Sequence, residues 1–165
     1  MMTSEENKAV LLRFTEEVFN RKNLAVIDDL LAPDEVDHTL PPNLPPNMEG
    51  TKQAIAMYLR AFPDVHVTID DILAEGDRVA IRFTSRGTQR YAFGLIPPTR
   101  RRATISSYLI ARFENGKIAE QWGLDDQLGM LMQLGLLQAV VGIVFLAGVG
   151  VGVGMATFVR KVVRG

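Results

Sequence analysis

Late in the chain, Glu120, Trp122, Leu124 and Asp126 recur at every second position, with Asp125 between the last two. In an extended strand such alternate residues share one face, so Asp126 is expected beside Trp122 and Leu124, with Asp125 turned the other way. Carboxylates shielded by apolar neighbours hold a proton more readily, which suits general acid/base work. The same two aspartates are favoured helix N-caps, and a helical run begins near Gln127, so capping is the alternative role. Composition removes most other chemistries. There is no cysteine, which excludes disulfide frameworks, thiolate metal sites and cysteine nucleophiles. Only His38 and His66 are available as imidazole ligands, too few for a histidine-rich metal site. A formal net charge of -1 gives no electrostatic ground for a nucleic-acid partner.

The elements that must position these residues are legible in the apolar spacing. With 165 residues, 47% hydrophobic and 22% charged, the chain suits one folded domain with a short appendage. Its polar, acidic start predicts no secretory signal, so the domain is expected in the cytoplasm. Ser4, Glu5 and Glu6 suit a helix N-terminus, and Val10, Leu11, Phe14 and Val18 give that helix one apolar face. A shorter helix after Asn23 presents Leu24, Ile27 and Leu31 and ends at Pro33. Residues 33–50, with Pro41, Pro42, Pro45 and Pro46, predict an irregular excursion. A third helix opens at Gly50 and Thr51, buries Ile55, Tyr58, Leu59 and Phe62, and stops at Pro63.

From residue 65 the period shifts from about 3.6 to 2. Four strands follow: from Val65, from Arg78, from Ala103 to Phe113, and from Lys117 to about Asp125. Asn115 and Gly116 form the hairpin turn before the last. The fold class predicted is α+β, with N-terminal helices covering one face of a curved antiparallel sheet. His66 falls on the polar face of its strand, and Arg100, Arg101 and Arg102 read as a solvated run. Tyr58, Trp122 and Tyr108 are candidates for an aromatic wall around a substrate, with ordinary core packing as the alternative.

The run from Phe113 to Gly135, FENGKIAEQWGLDDQLGMLMQLG, resembles the C-terminal signature of SnoaL-like polyketide cyclases, also known as ester cyclases. Upstream, Val36 to His38, Phe62 to Asp64, Ala74 to Val79, Arg86 to Thr88 and Gly94 to Thr99 follow that family's order and approximate spacing. The resemblance spans about residues 5–137. It implies a cone-shaped α+β barrel of the nuclear transport factor 2-like superfamily, with a ligand cavity between sheet and helices. It also implies intramolecular aldol ring closure of a hydrophobic, carbonyl-rich substrate without metal or organic cofactor. The family's acid/base aspartate falls on Asp126, and His38 lies in a motif whose histidine commonly lines the cavity. Gln89 stands where many relatives carry histidine; it cannot exchange a proton but can orient a carbonyl. Two further activities fit the superfamily: isomerisation or epoxide opening by the same carboxylate, and ligand binding or scaffolding without catalysis.

Residues 138–165 form a separate Gly/Val-rich tail. From Ala139 to Val159 there are 21 uncharged residues, followed by Arg160, Lys161 and Arg164. As a helix this stretch is about 31 Å long, the depth of a bilayer's hydrocarbon core. Gly148 with Gly152, and Gly150 with Gly154, have a helix-pairing spacing. Membrane association through residues 139–159 and packing against a second copy in a homo-oligomer are both expectations for the tail.

Overall fold

The computed structural model describes residues 3–136, so the tail and the expectations placed on it lie outside the described residues. Helix α1 (Ser4–Phe14) is capped by Thr3, one residue earlier than expected. Thr3 accepts the Glu6 N–H while the Glu6 carboxylate accepts the Thr3 N–H, a reciprocal capping box. The helix continues as a wider π turn over Thr15–Asn20. A short 3-10 turn (Leu24–Val26) then leads into α2 (Ile27–Leu30). Helix α3 (Met48–Ala61) is capped by Asn47. The remaining elements are β2 (His66–Glu75), β3 (Arg78–Thr88), β4 (Arg102–Glu114), β5 (Lys117–Asp125) and α4 (Gln127–Gln133).

One element departs from the sequence expectation. Leu31–Asp37, assigned to a helix end and an irregular excursion, is a strand, β1, lying parallel to β5. Pro33 is tolerated because β1 is an edge strand whose register slips between Leu31 and Val36. The sheet order is β1-β5-β4-β3-β2, antiparallel except for this edge. Asn115 and Gly116 both take positive φ, as the expected hairpin requires.

Strand alternation gives the sheet an inner face, covered by the helices, and an outer face. Val79, Ile81, Ala111, Phe113 and Ile118 point inward and meet Leu11, Phe14, Val18, Ile27 and Ile55 in one core. Burying each of the larger side chains contributes about 1.5–3 kcal/mol. Register shifts at Ile69/Asp71 and Arg112/Phe113 are bulges that add twist to their strands. Among the described residues, no helix is long and apolar enough to cross a membrane.

Candidate functional site

Strand parity sorts the candidate residues onto different faces. On the inner face Ser107 of β4 pairs with Asp125 of β5, and Phe83 of β3 lies on the other side of Ser107. Ser107 is buried and donates its hydroxyl to Asp125 Oδ1 at 2.5 Å. Ser85, also buried and inward, lies near the Tyr58 hydroxyl of α3 and partly offsets the upward push on its phenol. Burial pushes the Tyr58 phenol up to about 12, and the charge of Asp125 adds in the same direction. Tyr58 packs against Phe62 at 5.2 Å between ring centroids and against Phe93 at 5.9 Å. A neutral phenol, two hydroxyls and a carboxylate therefore gather over the inner face of β3, β4 and β5. This group combines hydrogen-bond donors with a proton acceptor, which suits carbonyl or enol chemistry.

Asp126 does not share Trp122's flank as expected. The strand ends at Asp125; Asp126 donates its backbone N–H to Ser106 and becomes the N-cap of α4. Its Oδ1 accepts the Gly129 N–H at 2.8 Å, and the residue is exposed rather than shielded by Leu124, itself 77% exposed. The carboxylate is nonetheless closely held. A Cβ at residue 129 would lie 2.0 Å from Asp126 Oδ2, so the carboxylate keeps this position only beside a glycine. Gly129→Ala should swing the carboxylate away and remove the cap, costing about 1 kcal/mol. Chemical denaturation together with hydrogen exchange at the residue 129 amide would measure both effects; an unchanged exchange rate would contradict them.

Trp122 and Tyr108 lie on the outer face, which corrects the expectation that they form one wall with Tyr58. Both sit at even positions, while the inward residues of β4 and distal β5 are odd. Tyr108 is 61% exposed. His38 follows them outward: its ring stacks on Trp122 at 5.3 Å and its Nε2 lies 3.0 Å from Glu120 Oε1. Arg112 Nε donates to the other Glu120 oxygen at 3.0 Å. Together His38 first, then Arg112, hold the Glu120 carboxyl below its ordinary value. His38 thus belongs to a surface network and does not reach the inner group, contrary to the cavity-lining role expected for it.

Gln89 is also corrected. It is fully buried, and its amide is consumed in folding the 89–99 connection. Nε2 donates to the Pro97 carbonyl at 3.1 Å, while Oε1 accepts from Thr99 N and Oγ1 at 3.2 and 2.7 Å. His66 is exposed, as are Arg100, Arg101 and Arg102, matching the sequence reading. Sequence reasoning passed over Ser85 and Ser107, although their odd positions place them on the inward rows. It also passed over Glu35, Asp37, Thr51 and Gln121, which meet on the inner face between β1, α3 and β5. No group of three or more His, Cys, Asp or Glu able to hold a metal ion occurs among the described residues.

The sequence profile described as SnoaL-like polyketide cyclase matches residues 9–134. No curated protein sequence matches the chain. Among solved structures, IdmH of Streptomyces antibioticus, described as a candidate polyketide cyclase, is 33% identical with a TM-score of 0.68. The alignment covers 78% of this chain and 98% of that one. TsrD of Streptomyces laurentii is 27% identical over 82% of this chain and 98% of its own, with a TM-score of 0.75. AclR of Streptomyces galilaeus, described as a candidate hydroxylase, is 29% identical over 81% and 98%, with a TM-score of 0.71.

Proposed function

We propose a function from one premise: the chain belongs to the SnoaL-like polyketide cyclase family. It closes a ring in a small, hydrophobic, carbonyl-rich substrate of polyketide type by intramolecular aldol-type condensation. Asp126 is the acid/base. Its carboxylate takes a proton from a carbon flanked by two carbonyls, and the resulting enolate carbon bonds to an internal carbonyl carbon. The new alkoxide then takes the proton back, leaving Asp126 ionised for the next turnover. The Tyr58 phenol, kept neutral by burial, supplies a hydrogen bond to a substrate oxygen at the inner face, which holds the rest of the hydrophobic chain.

The observation that carries this reading is the seat of the Asp126 carboxylate at the β5–α4 junction. Oδ1 is engaged by Gly129 N–H and the glycine leaves room for Oδ2, within the Asp126 to Gly129 stretch that resembles the family's signature. The direct test is incubation with a panel of linear poly-β-ketone methyl esters, with chelator present in half the samples. Ring closure should exceed the buffer rate in both, seen as new aromatic absorbance, with the product mass equal to substrate or substrate less water. No acceleration across the panel would overturn the cyclase reading.

Two observations favour a second reading. Asp126 is exposed and caps a helix, while Gln89 is committed to structural contacts, as a small-molecule-binding domain without catalysis would allow. Saturable binding of the same esters without turnover is the result that would select it.

A further inference from the structure

Away from the Asp126 end of β5, the inner face holds two acidic side chains without a counter-ion. Glu35 and Asp37 are two residues apart on β1 and only 1% and 6% exposed. Neither takes part in an ion pair among the described residues. Thr51, in the first turn of α3, places its Oγ1 3.2 Å from both Glu35 oxygens and 3.2 Å from Asp37 Oδ2. Gln121 Nε2 donates to Glu35 Oε1 at 2.7 Å. Thr39 donates its N–H and hydroxyl to Asp37 Oδ1 at 2.8 and 2.6 Å. Thr51 is held there by the fold itself: a Cβ at Gly50 would lie 1.9 Å from the Pro45 carbonyl oxygen, so only glycine lets the excursion press on this turn.

The donors do not suffice for two carboxylates. Gln121 serves Glu35 Oε1 and Thr39 serves Asp37 Oδ1, which leaves Glu35 Oε2 and Asp37 Oδ2 facing one hydroxyl. A threonine hydroxyl carries one hydrogen. With both acids ionised, one buried oxygen would lack a donor and two like charges would face each other across a desolvated gap, a costly arrangement. A single added proton removes both faults. Glu35 Oε2–H then donates to Thr51 Oγ1, and Thr51 donates to Asp37 Oδ2.

We propose that Glu35 is a neutral carboxylic acid in the folded protein, and that Glu35, Thr51 and Asp37 form a pH-sensitive latch joining β1 to α3. Gln121 extends the latch to β5, and Thr39 ties it to the start of the excursion. The latch also fixes the helix that carries Tyr58, so it positions the inner group without touching substrate. Burial pushes the Glu35 carboxyl up from its ordinary 4.5; the Asp37 charge adds to this, and the bonds from Gln121 and Thr51 oppose it. Asp37 is the titratable partner, since α3 presents Thr51 and β5 presents Gln121, neither of which ionises. A raised value means that the unfolded chain releases this proton first as pH increases. The latch therefore contributes fully below about 4.5 and loses its contribution as pH climbs to the folded value of Glu35.

Glu35→Gln tests this, because the amide can donate to Thr51 and accept from Gln121 as the neutral acid does. In an infrared difference spectrum at neutral pH, wild type minus Glu35→Gln should contain the carbonyl band of a protonated carboxylic acid. The melting temperature of the variant should fall less than that of wild type between mildly acidic and neutral pH. A carboxylate band in the difference spectrum, or parallel melting profiles, would overturn the proposal. The wild-type spectrum alone decides the matter if the variant does not fold. A protonated carbonyl band must persist at neutral pH, where ordinary carboxyls have ionised, and its absence would refute the latch whatever reaction the domain performs.

Discussion

Phe62→Ala should destabilise the domain by about 3–5 kcal/mol, the range for removing a buried aromatic ring. Phe62 is 1% exposed at the C-terminal end of α3, with Tyr58 at 5.2 Å and Phe93 at 6.0 Å between ring centroids. β3 comes close at Gly87, where an added Cβ would sit 3.3 Å from the Phe62 Cβ. Backbone on both sides is fixed as well: Phe62 donates to the Tyr58 carbonyl and accepts from Val65. The site therefore cannot collapse cheaply into the space left behind. Urea unfolding should show a lower midpoint with an unchanged m-value. Loss of the ring also brings water to Tyr58, so its phenol should titrate below about 12, and ultraviolet titration of tyrosinate would record the change. A cost under about 1 kcal/mol would mean that Phe93 and Tyr58 close the gap, and would remove Phe62 as the support of the inner group.

The elements that announce themselves in sequence are those whose burial pattern is simple. Leu11, Phe14 and Val18 recur at helical spacing, and Val79 and Ile81 alternate with less buried neighbours, so α1 and β3 are legible. β1 is not legible, for a physical reason. Its inward positions near the end are Glu35 and Asp37, and a bulge around Pro33 breaks its alternation. A strand whose buried side chains are acidic looks like a loop unless their partners are known, and Thr51 and Gln121 lie 14 or more residues away along the chain. The faces of β4 and β5 were more accessible. Odd positions from Ala103 to Ala111 point inward, which alone would have sent Tyr108 outward. The bulge at Ala119, where Arg112 faces Glu120 and Phe113 faces Ile118, switches the inward row of β5 from even to odd. Alternation carried unbroken through that bulge would put Trp122 in the row of the inward Ile118, which is the wrong side. At the far end, strand periodicity stopped one residue before Asp126, and the capping chemistry of aspartate took over.

That handover makes Asp126→Asn an unusually clean experiment, because asparagine caps helices about as well as aspartate does. The side-chain carbonyl can still accept the Gly129 N–H, so stability should change by only a few tenths of a kcal/mol. The amide cannot take a proton from carbon, so kcat for ring closure should fall about 10²–10⁴-fold, the usual contribution of a positioned general base. Asp125→Asn supplies the contrast. Its side-chain oxygen can still accept the Ser107 hydroxyl, and if Asp126 is the base, activity should drop less than about 10-fold. The Tyr58 phenol should meanwhile titrate lower once the neighbouring negative charge is gone. Thermal melts, steady-state rates and tyrosinate absorbance on the same three proteins separate capping, catalysis and electrostatics. The reverse ranking, with Asp125→Asn inactive and Asp126→Asn near wild type, would transfer the acid/base role to the inward carboxylate. Asp126 would then be a helix cap, and the resemblance at its motif would reflect the fold of the β5–α4 corner rather than the chemistry.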